Sequence, residues 1–179
     1  LPSMDLSAAE LLQHDWPGVP PKRLLHRLTD MLRRDEREEL LAALEREGSG
    51  RFVAFQALAR LDDPGGLPAA ERILAADESG RKRLEAIRYV SNLAPAHTLN
   101  LARSWLRADD GRRVAARSVL AKHAEYRDVP MLLDHADAAW AERHFCGLCS
   151  YIDAFARLPD DIPVRLITEI FHQGEYSYA

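Results

Sequence analysis

The sequence contains two cysteines in 179 residues, too few for a disulfide framework, so a reducing cytoplasmic setting is expected. It lacks any apolar run near the roughly 18 residues that would suggest a membrane span, and no membrane partner is expected. Its first residues, Leu1-Pro2-Ser3-Met4, lack the basic, apolar, small-residue order of a signal peptide. Positive charge is in deficit, with 24 Lys and Arg against 28 Asp and Glu. That balance disfavours a nucleic-acid partner, which needs a basic footprint. Period-two alternation is scarce, so strands are not expected. Gly65-Gly66 has neither a strand before it nor a Lys-Ser/Thr after it, which excludes a phosphate loop. No Gly-x-Ser-x-Gly elbow occurs. No catalytic or cofactor-binding residue is assigned, and no cofactor is called for.

What the chain does have is Ala, Leu, Arg and Glu, all good helix formers, and the expected class is all-α. Ser7-Ala-Ala-Glu10 is a capping box that opens a helix near residue 8. The prolines of Trp16-Pro17-Gly18-Val19-Pro20-Pro21 stop it. Leu24, Leu25, Leu28, Met31 and Leu32 recur at helical spacing. Asp35 with Glu38 opens a third helix through Leu44, ended by Gly48-Ser49-Gly50. Residues 1–50 are thus expected to form an N-terminal helical cap.

Then a phrase recurs: Gly50-Arg51, Gly80-Arg81 and Gly111-Arg112, separated by 30 and 31 residues. A period of that size marks stacked helical repeats. Aligned on an early small residue, the copies place Ala54, Ala86, Ala116 and Cys146 in one column. Four residues later stand Leu58, Val90, Leu120 and Ser150. Leu67, Leu99 and Val129 open the second helices, followed by Pro68, Asn100 and Pro130. Proline suits a first helical turn, where its missing N–H is not needed. The loops between are Asp62-Asp63-Pro64-Gly65-Gly66, Ala94-Pro95-Ala96-His97 and Glu125-Tyr126-Arg127-Asp128. In the fourth unit Ile162-Pro163 comes three residues late, so its first helix, about 143–156, is expected to run a turn longer. The units fall at about 51–80, 81–111, 112–141 and 142–173. Gly174-Glu-Tyr-Ser-Tyr-Ala179 looks like the start of another, as if the chain stopped inside a longer protein.

This pattern of small residue, apolar residue four later, turn, apolar-Pro and second amphipathic helix resembles the HEAT repeat, especially its short bacterial variety. The likeness covers about residues 51–171. It implies a right-handed α-solenoid, a superhelix of helix-turn-helix repeats whose second helices line a concave face. Arg113-Val-Ala-Ala-Arg-Ser-Val-Leu with Asp128-Val-Pro-Met-Leu-Leu is the clearest copy. The fourth departs most, with Ser150 in an apolar column.

Cys146-Gly-Leu-Cys149, with His144 ahead of it, invites a metal or redox reading. A zinc site needs four ligands, and no further cysteine is available. Cys146 also occupies a column otherwise filled by Ala, where Cys serves as a small hydrophobe. Nor do His97, His123, His135 and His144 share a column, as the repeated His-Glu pairs of iron-binding HEAT-like enzymes do. Metal ligands are therefore not assigned. The basic run of Arg51, Arg81-Lys82-Arg83, Arg112-Arg113 and Arg143 could track phosphates. Pairing with the preceding acids, Asp77-Glu78 and Asp109-Asp110, is the favoured account.

Counting five beyond the Pro/Asn column gives Ile73, Trp105, His135 and Thr168. Its neighbour gives Arg72, Ser104, Asp134 and Ile167. The candidate partner-binding residues are Arg72, Arg103, Trp105, Arg107, Asp134 and His135, because Trp and Arg concentrate binding energy. Trp105 is equally a candidate for core. The expected function is a non-enzymatic scaffold or adaptor that holds a protein partner or sister domain on the concave face. The alternatives are an enzyme or accessory on this scaffold, resembling a DNA glycosylase or a bilin lyase, and a regulatory domain of a larger protein.

Overall fold

Ala54, Ala86 and Ala116, the small-residue column, are all fully buried, and the architecture follows from what packs on them. The computed structural model describes residues 37–46, 49–76 and 80–158. Among these lie eight α-helices, two 3₁₀ turns and no strand. The helices are α1 (Arg37–Leu44), α2 (Ser49–Arg60), α3 (Leu67–Ala75), α4 (Arg81–Asn92), α5 (Pro95–Trp105), α6 (Gly111–His123), α7 (Val129–Ala141) and α8 (Phe145–Phe155). The helices expected before residue 37, Ile162-Pro163, Ile167, Thr168 and the segment 174–179 lie outside the described residues.

Each helix buries one stripe. On α4 it is Glu85, Ala86, Tyr89 and Val90, continued by Leu93, while Arg81, Leu84, Arg88 and Asn92 face outward. On α6 it is Ala115, Ala116, Val119 and Leu120. Large side chains hidden completely, such as Leu58, Leu74 and Leu132, each contribute about 1.5–3 kcal/mol. Alanine at the column positions lets neighbouring backbones approach, and α2, α4, α6 and α8 touch in succession as one row. The second helices α3, α5 and α7 each pack on the first helix of the following unit: α3 on α4, α5 on α6, α7 on α8.

Three boundaries differ from expectation. Gly50 does not end a helix, because α2 already begins at Ser49. The second unit's second helix opens at Pro95 rather than Leu99, with proline in its first turn, where it lacks only a donor the helix does not use. The longer fourth-unit helix is also corrected: α8 has 11 residues against 12 for α4 and 13 for α6.

The glycines of the Gly-Arg phrase play two different parts. Gly80 has φ +87° and ψ −145°, a conformation essentially confined to glycine. At Gly111 the need is space, since a Cβ there would lie 2.8 Å from the Leu74 carbonyl oxygen. The start of α6 thus rests on the end of α3 through bare backbone.

The inter-helix turns are cross-linked at intervals close to the repeat. Asp62 accepts a hydrogen bond from the Ala94 N–H at 2.7 Å. Lys122 donates to the Ser91 carbonyl at 3.0 Å and to Asn92 Oδ1 at 2.9 Å. The buried Tyr89 hydroxyl accepts from the Gly66 N–H at 3.0 Å and donates to the Asp63 carbonyl at 2.7 Å. Burial pushes the Tyr89 phenol well above its usual range, so it stays protonated and keeps donating. Arg37 clamps Asp63 from the α1 side. Its guanidinium, together with the Gly65 N–H, holds the Asp63 carboxyl below the ordinary range against the opposing effect of burial.

Candidate functional site

The two columns counted along the second helices separate cleanly. Ile73 and His135 are half-buried and Trp105 is only 4% exposed, so that column turns inward. Its neighbour, Arg72, Ser104 and Asp134, is exposed at every position. A step of one residue rotates a helix by 100°, enough to carry a side chain from core to surface.

Of the two readings open for Trp105, that result selects the core. The surface role expected for Arg103 is corrected. Its guanidinium binds Asp128 at 2.7 Å, Glu125 at 2.7 Å and Asn100 at 2.9 Å. Asp128 is 97% hidden, being 3% exposed, and it also accepts from the Glu125 N–H at 2.9 Å. Burial alone would raise the Asp128 carboxyl, but the Arg103 hydrogen bond and the Glu125 amide outweigh it and the net shift is downward. Arg103 fastens α5 to the turn before α7 and has little left to offer a partner.

Arg72, Arg107 and Asp134 are exposed. Arg72 bonds Glu45 across the surface, a pair in which both side chains are well over half exposed. Exposed pairs of this kind contribute about 0–1 kcal/mol and exchange readily. His135 stacks on Tyr151 of α8, with ring centroids 6.3 Å apart and planes at 17°. Burial lowers the His135 pKa first, then Arg113 and Arg107, with Asp134 opposing them. His135 is therefore a neutral packing ring beside a charged surface at neutral pH.

The arginines at the repeat starts are largely consumed inside the fold. Arg112 and Arg113 pair with Asp110 and Asp109, as the sequence suggests. Asp110 also caps α6 through the Arg112 N–H at 2.9 Å. Arg81 pairs instead within its own helix, with Glu85 at 2.9 Å, and lies 5.6 Å from the Phe52 ring centroid. Arg51 reaches the same buried Glu85 at 3.4 Å, linking α2 to α4.

One feature of the site escaped the sequence. A cleft of about 290 Å³ opens between α1, α2, α3 and α4, lined by Leu44, Glu45, Arg51, Ala69, Arg72, Ile73, Ala76 and Lys82. The signal available was a basic residue in the first turn of two adjacent units, Arg51 and Lys82, but its convergence with Arg72 requires the packing of α3 on α4. Among the described residues no group of three His, Cys, Asp or Glu could hold a metal ion, and no helix is long and apolar enough to cross a membrane.

Compared with known proteins, the chain matches no family model, no curated protein and no solved structure.

Proposed function

We propose that this chain is a right-handed α-solenoid of HEAT-like repeats and serves as a non-enzymatic scaffold that binds a partner protein along its second helices. The observation that carries the reading is the exposed column Arg72, Ser104, Asp134, one residue from each of α3, α5 and α7. Successive second helices thus offer a repeated row of polar side chains, and extended surfaces of this kind are what stacked repeats use for recognition. Arg107, two residues past the end of α5, adds a cation near His135. The pairing of Arg51, Arg81, Arg112 and Arg113 with acids weakens the alternative of a phosphate-tracking ridge.

The test is cross-linking capture with the whole chain as bait, comparing wild type with an Arg107→Glu/Asp134→Lys double variant. Both positions are on the surface, so circular dichroism and melting temperature should match wild type. A partner retained by wild type and lost by the double variant is the expected result. Equal recovery by both would remove this surface from consideration.

A further inference from the structure

We propose that this chain associates head-to-tail with further copies of itself, the acidic outward stripe of α7 on one copy docking on the outward face of the α2, α4 and α6 row on the next. A second copy is then the partner called for above at the α7 end of the exposed column, and the assignment rests on that reading.

The receiving face is basic and partly apolar. Across α2, α4 and α6 the sole acid is Glu85, which is 3% exposed and already shared between Arg51 and Arg81. Phe52, Leu84 and Val114 each stand two residues before the buried alanine of their helix, so they share its outward side. Leu84 is 53% exposed, and Phe52 and Val114 are half-buried. Further along the same stripes, at helical spacing, stand Arg88, Arg60 and Lys122, all exposed. Arg88 makes no ion pair among the described residues. Lys122 bonds the neutral Ser91 carbonyl and Asn92 Oδ1, so its charge is not offset by a carboxylate.

The three helices run in the same direction, which keeps these rows aligned. Arg51 meets Glu85 and Phe55 meets Tyr89, both pairs 34 residues apart. Lys122, at the end of α6, reaches the end of α4. Apolar side chains therefore line one end of the face and cations the other.

Helix α7 has the opposite chemistry. It contains no lysine or arginine. Leu132, Ala136 and Ala139 form its buried stripe. Asp134, Asp137, Ala138, Ala141 and Glu142, at spacings of three and four, form the exposed one. Asp134, Asp137 and Glu142 make no ion pair among the described residues. Carboxylates with small alanines between them suit a face of cations beside a low apolar row. The sizes agree as well. A helix of 13 residues is about 20 Å long, and three helices at 8–10 Å spacing place their outer axes roughly 16–20 Å apart. Laid across the row, α7 reaches all three. The two surfaces differ, so each added copy leaves one of each kind open.

The experiment is sedimentation velocity of the purified full chain, loaded up to about 300 µM because one helix on three makes a small interface. Runs at ionic strengths of about 0.01 M and about 1 M compare screening lengths of roughly 30 Å and 3 Å. The sedimentation coefficient should rise with concentration at low salt and stay at the monomer value at high salt. Leu84→Glu/Arg88→Glu and Asp134→Lys/Asp137→Lys change exposed positions only, and circular dichroism checks each fold. Either double variant alone should remain monomeric. An equimolar mixture of the two should associate again, because reversed charges then meet their complements, and damaged folds could not do this. A monomeric wild type would overturn the proposal, while the partner reading would still be judged by its own capture experiment. Association that ignores salt, that survives either double variant, or that the mixture does not restore would overturn it too. So would a different acidic protein held on the Leu84 and Arg88 face of a chain that stays monomeric.

Discussion

Tyr89 illustrates how much one side chain can join. Its ring packs against Phe55 of α2, with centroids 4.9 Å apart, and its hydroxyl ties both the Gly66 amide and the Asp63 carbonyl of the first unit's turn. Replacing it with Phe keeps the ring and strands a buried N–H. The cost of an unsatisfied buried group is about 1–3 kcal/mol. Tyr89→Phe should therefore lower the urea midpoint by that margin, with the slope unchanged. A midpoint equal to wild type would show that water replaces the hydroxyl. Two histidines set a second residue-scale expectation. His135 and His123 both have pKa values lowered, each by burial first and then by neighbouring cations. The unfolded chain then binds protons more readily, so the stability these rings contribute is present above their unfolded pKa of about 6.5 and is lost as pH falls through the folded values. Unfolding free energy should decline from pH 7 toward pH 5. A His123→Gln/His135→Gln variant should show a shallower decline over that interval in denaturant titrations, and an identical slope would contradict the assignment.

At the scale of elements, the sequence was legible wherever a residue type has one structural meaning. Ala54, Ala86 and Ala116 were identified as the packing column, and all three are fully buried. Pro68 and Pro130 marked the first turns of α3 and α7. Pro95 is ambiguous in sequence because proline serves both loops and first helical turns, and it stands in the first turn of α5. Trp105 stays ambiguous in sequence for a related reason. The residues on its N-terminal side, Arg103 and Ser104, are both polar, so the local pattern does not fix which way the helix turns. The role of Arg103 is not legible in sequence because its main partner, Asp128, lies 25 residues away in a turn, a distance no local pattern encodes. The glycines of the Gly-Arg phrase look alike in sequence, while Gly80 supplies a rare φ and Gly111 a close approach. Gly111→Ala tests the second. The added Cβ meets backbone at 2.8 Å, so α6 and α3 must separate. Overpacking of this type costs about 1–3 kcal/mol, readable as a lowered melting temperature. A neutral Gly111→Ala would show that the contact yields easily.

For the whole molecule, the all-helical class and the succession of packed first helices follow from the period and the columns. The cleft does not, since it is a property of four helices meeting, and its residues are scattered from Leu44 to Lys82. Which column is exposed is also decided at this scale: Trp105 turns into the core, while Arg72, Ser104 and Asp134 beside that column face outward. The turn ladder has one more implication. Most of its bonds run from a side chain in one unit to the backbone of another: Asp62 to the Ala94 amide, Lys122 to the Ser91 carbonyl, and Tyr89 to Gly66 and Asp63. Backbone is common to every residue, apart from the amide that proline lacks. One partner in each bond can consequently change identity without breaking it. The backbone side of each such junction can therefore change residue type while the bond is preserved.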